Sequence, residues 1–123
     1  MRERDMRILI CYEDAYRVYS DAHERALRGL RPEAEVASCR LAEIGEQLEG
    51  FDPHLVVSSR PNTVDPGGRA AWYTLSPEPD EPSEACLGGR RSRRLLNPPL
   101  EELLSFIEEV EAFIRSRGEP GGC

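Results

Sequence analysis

Apolar residues in this chain come in short bursts, and between the bursts they recur at helical spacing. Arg7 to Cys11 reads RILIC, a run of strand length, and Tyr12-Glu13-Asp14 then opens a helical pattern. Ala15, Val18, Ala22, Ala26 and Leu30 fall at three- and four-residue steps, which predicts a helix with one apolar face, stopped by Gly29 and Pro32. The same sequence of signals repeats. AEVASC, Ala34 to Cys39, predicts a second strand, and LAEIGEQLEG predicts a second helix with Leu41, Ile44 and Leu48 on one face and Gly50 at its end.

HLVVS, set off by Asp52-Pro53, predicts a third strand, and AAWYTL, Ala70 to Leu75, a fourth. SPEPDEPSEA, Ser76 to Ala85, is rich in proline and acid and reads as a mobile loop. RRLLN is a short fifth strand. The best helix follows, with Asn97 as cap, Pro98 and Pro99 at its entry, and Glu101 and Glu102 complementing its N-terminal dipole. Leu100, Leu103, Ile107, Val110 and Ile114 form its expected buried stripe, and Gly118 ends it. Strands alternating with helices imply an α/β fold with a parallel five-stranded sheet in the order 2-1-3-4-5, covered by helices on both faces in three layers. Only Arg60 to Arg69 separate strands three and four, so the third helix of that plan is expected to be lost. Trp72 and Tyr73 alternate on strand four and read as packing residues.

Length and composition fit one domain, residues 1–117, followed by a disordered tail, 118–123. Sixteen basic residues, all arginine, stand against twenty-three acidic ones, for a net charge of −7. That balance repels phosphate backbones, so neither nucleic acid nor an anionic membrane is expected as a partner. The exception is RRSRR, Arg90 to Arg94, which reads as a solvated cluster answering the nearby acids. The N-terminus shows no secretory apolar segment, which points to the cytoplasm. Cys11, Cys39, Cys86 and Cys123 stand 28, 47 and 37 residues apart, without the close pairs of a zinc or CxxC site, and read as reduced thiols. His23 and His54 lack a second ligand at metal spacing, so no metal and no cofactor are expected.

Over about Arg7 to Ile114 the chain resembles the receiver domain of bacterial response regulators, a flavodoxin-like fold. The residues that carry the likeness are RILICYEDAYRVYSDAHERAL, FDPHLVVSS and GGRRSRRLLNPPLEELLSFIEEV. The resemblance implies an acid pair after strand one that binds Mg²⁺, an acceptor aspartate ending strand three, a Ser/Thr ending strand four and a lysine ending strand five. In this sequence the acid pair falls on Tyr12 and Glu13, with Asp14 next, the acceptor on Ser59 beside Ser58, the hydroxyl on Ser76 and the lysine on Asn97. Serine supplies neither the ligand charge nor the nucleophile, and the chain contains no lysine, so phosphotransfer is not expected.

CYEDAYR also spaces Cys11 and Arg17 as C-x5-R, as in the low-molecular-weight tyrosine phosphatases. Glu13 and Asp14 inside that loop would repel a phosphate and raise the thiol pKa, so catalysis is not expected there either. The functional expectation is a stand-alone, non-phosphorylatable pseudo-receiver: not an enzyme, but a signalling module acting through protein contacts. The resemblance implies a docking face on the last helix and strand. There Arg90, Arg91, Arg93, Arg94, Phe106 and Phe113 are the candidate interface of a homodimer or a protein complex. The alternative is a small-molecule binder or enzyme using Tyr12, Glu13, Asp14, Ser58, Ser59, Ser76 and Asn97 at the carboxyl ends of the strands.

Overall fold

The computed structural model describes residues 6–75, 82–96 and 100–123, without the side chains of 93–96. Six strands form one mixed sheet in the order β2-β1-β3-β4-β5-β6. β1 is Arg7–Tyr12, β2 Glu35–Arg40, β3 Leu55–Ser58, β4 Ala71–Thr74, β5 Pro82–Leu87 and β6 Arg90–Leu96. Three helices accompany them: α1 (Arg17–Leu30), α2 (Ile44–Gly50) and α3 (Leu100–Arg117). Short 3-10 turns, Asp14–Tyr16 and Leu41–Glu43, lead into α1 and α2.

The first four strands are parallel, in the expected order 2-1-3-4. The link from β3 to β4 holds only bends and turns, so the third helix of the expected plan is absent while the crossover stays parallel. The five-stranded parallel sheet is corrected at its far end. β5 pairs antiparallel with β4, and β6 pairs antiparallel with β5. Gly88 and Gly89, with φ of 61° and 83°, make the two-residue turn between β5 and β6, where positive φ at both positions suits the twist of a hairpin. β5 therefore begins inside the segment read as a loop; of that segment, residues 76–81 lie outside the described ones.

Alternate residues of the strands feed two cores. Ile8, Ile10, Leu55, Val57 and Tyr73 face Leu27 of α1 and Leu103, Phe106, Ile107 and Val110 of α3. Leu9, Cys11, Val56 and Trp72 face Ile44 of α2. Residues in the middle of β1 and β3 have no solvent exposure, as strands covered on both faces should. Among the described residues no helix is long and apolar enough to cross a membrane.

Two helix faces differ from expectation. Phe106, read as an exposed interface residue, is 1% exposed and packs against Tyr73 at 5.4 Å between ring centroids. The buried stripe of α3 is simply wider than the five residues assigned to it. On α1 the burial runs through Ser20 and Leu27, with His23 half-buried between them, while Val18 is 79% exposed, Leu30 54% and Tyr19 49%. The apolar arc of α1 spans more of the helix than one sheet face covers, and the side carrying Ala15, Val18, Tyr19 and Ala22 stays outside.

The reduced-thiol reading fails for Cys86 and Cys123, which form a disulfide across 37 residues, and a disulfide argues against a fully reducing setting. It pins the segment expected to be disordered. Gly88 donates its amide to the Pro120 carbonyl, Gly122 donates to Gly68, and Glu119 pairs with Arg69. A Cβ on Gly121 would come within 1.9 Å of the Gly68 carbonyl oxygen, so the tail approaches as closely as only glycine allows.

Candidate functional site

The carboxyl ends of β1, β2 and β3 meet at one edge, where a parallel sheet ordinarily exposes its crevice. β1 delivers Tyr12 and then Glu13 and Asp14; β2 delivers Cys39 and Arg40; β3 delivers Ser58 and Ser59. The structure thus brings together five of the seven expected strand-end residues. Ser76 and Asn97 lie outside the described residues.

Both acids are already answered. Arg60 reaches Glu13 with two hydrogen bonds, 2.8 and 3.2 Å, and Arg40 reaches Asp14 with two, 3.1 and 3.3 Å. Such exposed two-pronged pairs add little stability but neutralise the carboxylates and fix their direction. Arg60 is itself held: its amide donates to the Ser58 hydroxyl at 3.1 Å, and its carbonyl accepts the Trp72 indole N–H at 2.8 Å. Ser58 therefore shapes the turn that aims Arg60. The Ser59 amide donates to the Cys11 carbonyl at 3.3 Å, and its buried hydroxyl has no hydrogen-bond partner among the described residues. In that same set no group of three or more His, Cys, Asp or Glu side chains is placed to hold a metal ion.

Tyr12 is 3% exposed, stacks on His23 at 6.0 Å, and its hydroxyl also has no hydrogen-bond partner among the described residues. Burial raises its pKa above the ordinary phenol value, with Tyr73 pushing the same way. Beside it opens a cleft of about 640 Å³, lined among others by Arg17, Ser20, Cys39, Arg40 and Glu43. The C-x5-R spacing does not make a phosphate cradle. Cys11 is fully buried on the α2 side of the sheet, and Arg17 projects into solvent from α1.

The Cys11 and Cys39 sulfurs stand 2.7 Å apart. The hydrogen bond between them raises the Cys11 pKa, with burial adding to the rise, and lowers that of Cys39. Single-chain reading missed this pair and both arginines. One signal was present: each cysteine is the fifth residue of its strand in the repeated strand–helix unit, which sets them side by side if the strands start level.

The expected interface lies at the opposite end of the sheet. Arg90 and Arg91 are exposed on the hairpin, whereas Arg93 and Arg94 are described only as strand backbone. A second cavity of about 460 Å³ runs between the hairpin and α3, with Arg117 and Glu109 on its walls. Phe113 is half-buried: its ring lies against Gly88, and the Arg117 guanidinium sits over it at 5.5 Å. No protein-family model, no curated protein and no solved structure matches the chain.

Proposed function

We propose that this chain is a non-catalytic, pseudo-receiver-like regulatory module that works through protein contacts, and that its contact is with a second copy of itself through α1. One observation carries this: a helix whose sequence marks a clear apolar face holds Val18, Tyr19 and Leu30 in solvent. The occupant follows from charge. In an antiparallel pairing about a two-fold axis each helix flank meets the same flank of its partner, so the flank must be self-complementary. Arg17, Asp21 and Arg25 alternate in sign along that flank, and Ala15 and Ala22 leave room for close approach. The absence of phosphotransfer is supported by the neutralised acids and by serine at the acceptor position.

Sedimentation equilibrium tests the contact. The wild type is expected to dimerise at micromolar to high-micromolar concentration, and Val18→Glu with Tyr19→Glu to remain monomeric with an unchanged circular dichroism spectrum. A monomeric wild type overturns it. Acetyl phosphate with Mg²⁺ tests the chemistry, since a stoichiometric phosphoadduct would contradict the pseudo-receiver assignment. A second reading, a small polar ligand in the strand-end cleft, is favoured by a cavity of about 640 Å³ lined by Tyr12, Ser20, Cys39 and Arg40. A thermal-shift screen of metabolites separates the two.

A further inference from the structure

We propose that Cys11 and Cys39 form a thiol–disulfide switch that exchanges with low-molecular-weight disulfides through the strand-end cleft. The two residues are direct partners in the parallel β1–β2 register. Neighbouring strands lie about 4.8 Å apart. That spacing falls inside the Cα–Cα window of about 4.4–6.8 Å that a disulfide accepts, so the bond closes without moving either strand. The sulfurs already face one another at 2.7 Å.

The two thiols differ in access, as an entry residue and a resolving residue should. Cys39 is half-exposed on the cleft wall, next to Arg40. Cys11 is fully buried beside it, with its sulfur against that of Cys39. Either thiol can donate the hydrogen bond between the sulfurs; that bond and burial raise the Cys11 pKa, and the same bond lowers that of Cys39, so the exposed thiol ionises first.

The exchange balances as follows. The Cys39 thiolate attacks one sulfur of the external disulfide; a Cys39 mixed disulfide forms, the external S–S bond breaks, and one small thiolate leaves. That thiolate takes the Cys11 proton. The Cys11 thiolate then attacks the Cys39 sulfur, the Cys11–Cys39 bond forms, and the second small thiolate departs. Both protein thiols are oxidised, and the external disulfide is reduced to two small thiols, the second taking from solvent the proton that Cys39 released there on ionising. β2 is an edge strand held in the sheet by β1 alone, so the new bond would tie that edge covalently to the sheet. None of this depends on self-association through α1.

The test uses the full chain with Cys86–Cys123 intact and oxidised glutathione as the probe. Samples are quenched with N-ethylmaleimide over a time course and mapped after cleavage at arginine. The wild type is expected to lose both free thiols, with glutathione appearing first and transiently on Cys39 and a Cys11–Cys39 cross-linked peptide accumulating after it. Cys11→Ala is expected to stop at the Cys39 mixed disulfide, and Cys39→Ala to leave Cys11 unmodified. The wild-type time course decides even if a variant misfolds. Both cysteines still free after prolonged exposure, or glutathione arriving first on Cys11, overturns the proposal.

Discussion

The two ends of the sheet are held by different means. At the parallel end, Ile8, Leu9, Ile10, Leu55, Val56 and Val57 have no exposure at all, and no covalent bond ties β1, β2 and β3 together. At the hairpin end, β6 is an arginine-bearing edge strand that cannot bury a continuous apolar run. There the chain uses a covalent staple, a two-glycine turn under Phe113 and a tail hydrogen-bonded to Gly88 and Gly68. Burial places strands whose middle residues are apolar and covered on both faces, as in β1 and β3. β6, with four arginines in seven residues, is held in addition from outside the sheet.

That difference predicts two unequal responses. The largest effect belongs to the parallel end: Leu55→Ala on β3, flanked by β1 and β4, empties a site with no exposure. It should cost about 3–5 kcal/mol in urea unfolding. A cost near 1 kcal/mol would mean that this end is not held by close packing. Next comes Cys123→Ser. Closing a loop of 37 residues restricts the unfolded chain by roughly 4 kcal/mol in the chain-entropy account. Its loss should also speed hydrogen exchange at the Gly88 and Gly122 amides, whose bonds involve the tail, while the β1 and β3 amides slow or speed only with global stability. Exchange that rises equally at both ends would erase the comparison.

The same contrast governs what could be read from the sequence. β1, α1, β2, α2, β3 and β4 were legible because each combines a local period with a local stop signal, and the strand order 2-1-3-4 followed from their alternation. The hairpin was misread although Gly88-Gly89 between two runs is a hairpin signal; the proline and acid before it pointed to a loop. The Cys86–Cys123 bond has no local signature, since it depends on where the last residues return to the sheet. Amphipathic spacing named the apolar residues of α1 but not what covers them, so Val18 came out exposed. At the site, Glu13, Asp14, Ser58 and Ser59 converge because they follow strand ends, which spacing predicts. Their neutralisation by Arg60 and Arg40 depends on rotamers and turn shape, which spacing does not.

The smallest expected effect returns to the parallel end, at the turn where the chain enters β3. Asp52 adopts φ of 51°, its carbonyl accepts from the Arg7 guanidinium at 2.8 Å, and His54 Nδ1 accepts the Arg7 backbone N–H at 2.9 Å. That nitrogen must be unprotonated to accept. Burial lowers the imidazole pKa below its ordinary value, Arg7 and Arg69 add to the lowering, and the Asp52 carboxylate opposes it. With the folded pKa below the unfolded one, the unfolded chain binds more protons in the window between them, so stability rises with pH across that window. The contribution is complete above the unfolded value of about 6.5 and fades as the pH falls from there through the folded pKa. His54 is partly exposed, so solvent keeps the effect modest. His54→Asn keeps an acceptor near Nδ1 and removes the titration. The difference in urea midpoint between wild type and variant should therefore be constant above about pH 6.5 and shift against the wild type below it. Parallel profiles across the whole acid range would mean that protonating His54 does not open this turn, and that burial holds the β1–β3 end without the hydrogen bond.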